Sequence, residues 1–403
     1  VKAAGRGRLT GHPRRLVAAA LGPLLAAACG SPTYTVIGAG ARSPPPAPPL
    51  GPVVVRALHL ADFGEQNAQQ ATVARAVAAA HARAPFDVAL FPGDNLYEDG
   101  PDPAVPGADG CRFAADGNTL APGFTAPPDP TFARHEAPLA PLAGVPVYLA
   151  LGNHDVLAPP GASATVGRRR ACLEVAHSSP AWRMPARHYV VDVEEAGSPR
   201  RRGEGAARAT GDEAGSPRRR GEGAAGAPGV AARFIVVDSN LVKGDYGGFS
   251  FEDEVAFVAQ AAAGCEGRAC FLVGHHPPVT AGEHAADATP AYLARMGRLV
   301  AAGGGRIRAW LAGHDHDLQH LRTPAGLDVL VSGNGSRGRP LERFAAVSVP
   351  GATLEFASVR WGYGVLSVTE SGWTYRFEDV EGAPLHCCAA LGAGPCAPVQ
   401  CGP

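Results

Sequence analysis

Five short segments carry residues able to bind metal ions and move protons. They are Asp62-Phe63-Gly64, Gly93-Asp94-Asn95-Leu96-Tyr97, Gly152-Asn153-His154-Asp155, Gly274-His275-His276 and Gly313-His314-Asp315-His316. Each supplies a carboxylate, amide, phenol or imidazole. Together they suit hydrolysis of a phosphate ester. That reaction needs a strong nucleophile at neutral or acidic pH, and positive charge against the phosphoryl oxygens. Two metal ions about 3.5–4 Å apart provide both, with a bound hydroxide attacking in line while the metals clamp the charge. Such a pair needs one bridging carboxylate and a shell of oxygen and imidazole ligands. Hard oxygen donors favour a hard ion, and imidazoles suit iron, zinc or manganese.

The surrounding sequence says how these residues are positioned. Each segment follows an apolar run: VVVRALHLA, DVALFP, VPVYLAL, ACFLV and IRAWLA. A strand, a glycine-marked sharp turn and a ligand residue, repeated five times, place the ligands at strand ends along one edge of a sheet. Taken singly, Asp-x-Gly is a turn, GDNLY a loop after a strand and GNHD an Asx-type turn. Their order and shared context carry the reading.

The segments resemble those of the calcineurin-like metallophosphoesterases. Within that superfamily they are similar to the purple acid phosphatases, in particular the small tartrate-resistant type. The first motif is Asp-x-Gly rather than Asp-x-His, Tyr97 stands close after Asp94, and the last motif continues as GHDHDLQHL. The resemblance covers Val53 to Phe377 apart from insertions. It implies that Asp62, Tyr97 and His316 bind a ferric ion. Asn153, His275 and His314 then bind a divalent ion (iron, zinc or manganese), and Asp94 bridges the two. The Tyr97 phenolate would give a charge-transfer colour. His154 would hydrogen-bond the bound phosphate, with Asp155 orienting it. His284 would donate a proton to the leaving alcohol, a role that suits an imidazole. His276 is expected as a wall of the site and His59 as a packing or hydrogen-bonding residue. His320 is expected as a neighbour, and Asp315 and Asp317 as loop-shaping residues.

The activity implied is that of an acid phosphatase acting on small phosphomonoesters through a dinuclear Fe(III)–M(II) centre. Phosphodiesters or nucleotides are the alternative substrates, and Arg168, Arg169 and Arg170 are candidate phosphate contacts as well as candidate surface charge. A reading of another class is a surface lipoprotein that binds without turnover. The presence of every ligand position, and of His154, counts against it.

Strand–helix–strand units argue for an α/β domain. Helices are expected over Gln66–Ala84, Phe251–Ala263 and Pro290–Ala302, and strands over Phe86–Phe91, Ala269–Val273 and Ile307–Leu311. The later segments Leu327–Ser332, Leu354–Val359, Tyr363–Thr369 and Thr374–Asp379 alternate without helices, which suits a second, antiparallel-leaning sheet. The fold the resemblance implies is a sandwich of two mixed sheets flanked by helices, with the metals at the sheet edge.

The chain has 403 residues, 46% of them apolar, and a formal net charge of −1, so nothing in its charge balance points to nucleic acid or a membrane surface. Residues 1–29 read as an export signal: five basic residues precede the apolar run Leu16 to Ala28, which is too short to span a bilayer. Cys29 after it resembles a bacterial lipoprotein processing site, with ordinary cleavage as the alternative, and Arg14-Arg15 hints at twin-arginine export. The expected location is outside the cytoplasm, in the bacterial periplasm or cell envelope, either attached to the membrane through a lipidated Cys29 or secreted. A Pro/Gly/Ser-rich tether over 30–52 then leads to a catalytic domain over 53–380. Two insertions interrupt it. Residues 99–130 are expected to overhang the site. Residues 195–229 contain EAGSPRRRGEGAA twice and read as an enlarged, disordered hairpin loop. A cysteine-rich tail fills 381–403. Eight cysteines besides Cys29 fit an oxidising compartment and allow four disulfides. Cys265 with Cys270 is the best pair, and the last four staple the tail. A zinc site there lacks a histidine at finger spacing.

Overall fold

Apolar runs bounded by turns become strands buried on both faces, as in VALF at Val88–Phe91 and DVLVS at Asp328–Ser332. The computed structural model describes residues 43–157, 165–195, 207–210, 230–339 and 347–402. The expected export signal, Cys29, most of the tether and the arginine runs of the repeat lie outside the described residues. The first strands are β1 (Val53–His59), β2 (Val88–Phe91), β3 (Val147–Leu149), β4 (Ser178–Ser179) and β5 (Trp182–Arg183). Next come β6 (Tyr189–Glu194), β7 (Ala207–Thr210), β8 (Val230–Val236), β9 (Ala269–Val273) and β10 (Ile307–Ala312). After these are β11 (Leu318–Arg322), β12 (Asp328–Ser332) and β13 (Thr353–Ser358). The last are β14 (Gly362–Thr369), β15 (Gly372–Asp379), β16 (Pro384–Leu391) and β17 (Ala397–Pro398).

Among the described residues these form two mixed sheets. The first has the order β17-β16-β15-β14-β1-β2-β3-β5-β4 and the second β13-β11-β12-β10-β9-β8-β6-β7. Each has a parallel centre: β1, β2 and β3 in the first, and β8, β9, β10 and β12 in the second. Antiparallel strands extend both centres outward. The sheets face each other through Phe271 against Trp373 and Phe356 against Phe377, with ring centroids 5.5 Å apart in both pairs. Parallel strands share a direction, so their C-terminal ends come to one edge.

Six helices are described: α1 (Ala68–Arg83), α2 (Ala133–Glu136), α3 (Asn153–Val156), α4 (Thr165–Ala176), α5 (Phe251–Ala263) and α6 (Pro290–Ala302). α5 starts where Ser250 accepts from the Glu252 amide and three acidic residues follow in the first turn. α6 starts at Pro290, capped by Thr289. Both match the expected bounds.

Three expectations change. The four late segments do not share a sheet: β12 and β13 join the second, while β14 and β15 pair onto the free edge of β1 in the first. Residues 384–391 of the expected tail form β16 and extend that sheet. Arg168, Arg169 and Arg170, expected as phosphate contacts or surface charge, lie on a helix, α4. The segment after Tyr97 packs back on the domain through Cys111–Cys172, Phe113 against Phe249 and Asn118 against His188. Within the second insertion, Ala207–Thr210 pair antiparallel with β6. The other disulfides are Cys265–Cys270, Cys387–Cys401 and Cys388–Cys396.

Candidate active site

Asp62, Asp94, Asn153, His275 and His314 lie just beyond β1, β2, β3, β9 and β10. Asp62, Asp94 and His314 adopt left-handed backbone, with φ of 56°, 51° and 73°. This costs a non-glycine residue about 1–3 kcal/mol and persists only where the surroundings fix it. Here the turns fix one another. The Asp62 amide donates to the Gly93 carbonyl (3.1 Å), the His314 amide to Asp62 Oδ2 (2.9 Å) and the His154 amide to Asp94 Oδ1 (2.8 Å). The glycines allow this close approach. A Cβ on Gly93 would stand 2.7 Å from Gly152 Cα and 2.8 Å from His275 Cβ. Much of the turn strain thus sits on the polar residues, and the glycines clear space between segments.

Two donor sets result. Tyr97 Oη lies 2.9 Å from Asp62 Oδ1, 3.0 Å from Asp94 Oδ2 and 3.2 Å from His316 Nε2. His275 Nε2 lies 3.0 Å from Asn153 Oδ1, 3.2 Å from His314 Nδ1 and 3.3 Å from Asp94 Oδ1. Asp94 enters both sets, one oxygen in each. Octahedral ligands held at about 2.1 Å from an ion stand ~3 Å apart, so both sets have the spacing of a coordination shell. His275 Nδ1 donates to the Pro92 carbonyl (2.9 Å), which leaves the Nε2 lone pair facing its set.

The electrostatics agree with a site built for cations. Burial pushes the Asp94 carboxyl up, but the His275 ring beside it wins and holds it below the usual carboxylate range. Burial would lower the pKa of His275, yet Asp94 raises it to about 9. Burial, then Asp62 and Asp94, push the Tyr97 phenol far above its ordinary value. Without an ion, protons balance this carboxylate charge. The residues fit a metal pair, with Asp62, Tyr97 and His316 on one side, Asn153, His275 and His314 on the other, and Asp94 between.

The substrate-side residues take distinct places. The His154 side chain is 22% exposed, its Nδ1 2.6 Å from the Glu98 carbonyl and its ring 4.6 Å from that of Tyr97. The His284 ring stacks on His314 at 4.0 Å, and its Nδ1 lies 3.1 Å from Asp287 Oδ2. Asp155 does not orient His154. It is fully buried and accepts from the Asn95 (2.8 Å), Leu96 (3.1 Å) and Gly152 (2.7 Å) amides, fastening the Asp94 turn to the Asn153 turn. Its carboxylate is spent on these amides and on Asn95 Nδ2 (3.0 Å), and the Glu98 carbonyl holds the His154 ring instead.

His276 is buried beside the His275 and His314 rings, with Ser239 Oγ 2.9 Å from its Nδ1. His59 bonds Tyr375 Oη and the Ala312 carbonyl. His320 pairs with Asp328 and His386. Asp315 accepts from the His284 amide and the Thr280 hydroxyl, and Asp317 accepts from Gln319. Arg168 and Arg170 donate to the Gly247 and Leu157 carbonyls. Sequence reasoning missed Asp287 beside His284. It also missed Arg337, whose guanidinium lies 3.9 Å over the Tyr97 ring and pairs with Glu65 and Glu98. Arg337 follows the Gly-Asn-Gly-Ser turn after β12, and that turn was the available signal.

The chain matches the family described as calcineurin-like phosphoesterase over residues 55–318. No curated protein matches it. Among solved structures it is similar to GAP50, the anchor in the inner membrane complex of Plasmodium, at 15% identity, covering 84% of this chain and 89% of that one with a TM-score of 0.56. It also aligns with PhoD at 12% identity, covering 89% of this chain and 74% of that one, with a TM-score of 0.46. A dimetal phosphatase from Danio rerio aligns at 13% identity, covering 87% of this chain and 99% of that one, with a TM-score of 0.41. GAP50 shares the fold. The matched region runs from β1 to the start of β11 and holds every segment of both donor sets, and the chain belongs to the calcineurin-like phosphoesterases, a family of metal-dependent phosphate-ester hydrolases with dinuclear metal centres.

Proposed function

We propose that the protein is an exported phosphatase of the purple acid type that hydrolyses phosphomonoesters at a dinuclear Fe(III)–M(II) centre. The observation that carries this reading is the Tyr97 phenol oxygen set among Asp62, Asp94 and His316 at 2.9–3.2 Å. A hard phenolate among carboxylates suits a ferric ion. When bound, such a metal pair supplies the nucleophile and the positive charge against the phosphoryl oxygens.

The chain's own residues do the rest. The Glu98 carbonyl can only accept, so His154 Nδ1 carries its hydrogen there and Nε2 donates to phosphate only in the imidazolium form. His284 Nδ1 is likewise held by Asp287, so its Nε2 gives a proton to the leaving alcohol only when the ring is doubly protonated. Export is supported by four disulfides, and among the described residues no helix is long and apolar enough to cross a membrane. A lipidated Cys29 belongs to the same proposal. A binding role without turnover draws only on GAP50, described as an anchor; two complete donor sets weigh against it.

The test is hydrolysis of p-nitrophenyl phosphate and bis-p-nitrophenyl phosphate by the metal-loaded protein and two variants. Asp94→Asn abolishes metal binding and turnover, while His154→Ala keeps the metals and loses turnover. Activity surviving in both variants sinks the assignment. Faster cleavage of the diester moves it to a phosphodiesterase.

A further inference from the structure

The C-terminal staple gathers a second set of ligand atoms, apart from the active site. His320 lies on β11 of the second sheet and His386 on β16 of the first, yet His320 Nδ1 is 3.0 Å from His386 Nε2. Ligand atoms of His320, His386 and Cys388 all lie within 4.8 Å of one another. Cys388 is bonded to Cys396, which brings a second sulfur to the same place. Two imidazoles and two cysteines therefore converge, although their sequence spacing is that of no zinc finger.

The surroundings orient these atoms for coordination. Asp328 Oδ1 accepts from His320 Nε2 (3.0 Å), so His320 Nδ1 keeps its lone pair and points it at His386. A carboxylate behind a ligating histidine is a recurrent feature of zinc sites. Asp328 Oδ2 also accepts from the Cys396 amide (2.7 Å), so one buried side chain positions two of the four residues. Arg322, paired with Asp328 and Glu355, also donates to the Cys396 carbonyl (2.9 Å) and so fixes the Cys396 backbone. The His386 ring stacks on Phe356 at 4.8 Å, which fixes its plane beside His320. Tetrahedral zinc with bonds of about 2.0–2.1 Å to nitrogen and 2.3 Å to sulfur has edges of roughly 3.3–3.8 Å. Once the sulfur–sulfur bond opens, the Cys388 sulfur is free to take such an edge beside the two imidazoles, and the Cys396 sulfur, bonded to it until then, can swing to the fourth position.

We propose that His320, His386, Cys388 and Cys396 form a redox-gated zinc site. In oxidising surroundings the two cysteines are joined. A dithiol reductant passes two electrons and two protons to that bond, becoming a disulfide while Cys388 and Cys396 become thiols. Zinc then binds the two sulfurs and two imidazoles, releasing the thiol protons. The ion holds β16 and the segment around Cys396 against β11 where no disulfide can form, so the same staple serves before and after exposure to an oxidising compartment.

The test uses the full-length protein, reduced with a dithiol, with cobalt(II) as the probe. The active site contains no sulfur, so a thiolate-to-cobalt charge-transfer band reports cysteine ligation alone. The reduced protein is expected to show this band with intense tetrahedral d–d bands, and zinc is expected to displace them. The Cys387→Ser/Cys401→Ser double variant keeps the bands. His386→Ala, whose folding is checked in its oxidised form by thermal unfolding, loses them. Asp328→Asn weakens zinc binding about 10–100-fold. In a second readout, zinc slows alkylation of Cys388 and Cys396 but not of Cys111 and Cys172. The proposal is overturned by a reduced protein without the sulfur band, by an undiminished band in His386→Ala, or by alkylation of Cys388 and Cys396 that zinc leaves unchanged.

Discussion

Asp155→Ala separates the positioning of this site from its chemistry. The Asp155 carboxylate accepts from three backbone amides, those of Asn95, Leu96 and Gly152, at 2.7–3.1 Å. It is buried, so its removal leaves those donors unsatisfied at roughly 1–3 kcal/mol each, or about 3–9 kcal/mol together. Part of this returns, because burial and Asp94 hold the Asp155 carboxyl up at about 6. Losing a carboxylate so disfavoured recovers on the order of 3 kcal/mol. The net cost is then roughly 0–6 kcal/mol with its midpoint at 3, a large share of the ~5–15 kcal/mol that holds a native domain together. The freed amides belong to the turns carrying Asp94 and Asn153, so metal affinity falls along with stability. Urea unfolding with disulfides intact, followed by tryptophan fluorescence, measures the first, and zinc titration of the folded variant measures the second. A loss under ~0.5 kcal/mol, the size of a surface substitution, with unchanged zinc affinity would refute the reasoning.

Other predictions follow from the same contacts. Arg187 Nη1 lies 3.1 Å from Asp238 Oδ2 and 2.8 Å from Glu254 Oε2, all buried, so Arg187→Met should cost about 3–5 kcal/mol in urea unfolding at pH 7. The variant leaves two buried carboxylates with His188, Tyr246 and amide partners but no guanidinium, so they bind protons more tightly folded than unfolded and the deficit should shrink as pH falls. His59 and His135 are buried with pKa values lowered by desolvation from 6.5 to about 3. Their unfolded forms bind more protons between those values, so stability should fall as pH drops from 6.5 towards 3, by roughly 1.4 kcal/mol per pH unit for each fully titrating histidine. A flat stability profile from pH 7 to pH 4 would contradict this. His284→Ala should lower kcat about 10²–10⁴-fold on alkyl phosphates, whose leaving group needs a proton, and far less on p-nitrophenyl phosphate. Cys111–Cys172 closes a separation of 61 residues, and Cys111→Ser/Cys172→Ser should cost about 4 kcal/mol in the same unfolding assay.

The gathering of the five segments at one sheet edge was legible because each joins a polar residue to an apolar run and a turn, and strand ends gather wherever such runs are parallel. α5 and α6 were legible because Ser250 and Pro290 mark their starts chemically. The pairing of the late strands was not. β12 and β14 are both buried on two faces, and only the free edges of the two parallel centres decide which sheet each joins. The role of Asp155 was hidden for a related reason: its partners are chiefly backbone amides, which every sequence has. Asp287 and Arg337 act through His284 and Tyr97 by contacts that exist only once the loops are folded. His320 and His386 come from different sheets, so no spacing rule links them.

The proposed function rests on ferric iron held by Tyr97 and its neighbours in a dinuclear centre. The visible absorption spectrum of the oxidised, iron-loaded protein beside that of Tyr97→Phe tests it. A purple phenolate-to-iron charge-transfer band is expected in the first and its loss in the second. A colourless wild-type protein that hydrolyses phosphate esters with zinc or manganese would contradict it, and would leave a phosphoesterase in which Tyr97 binds no iron.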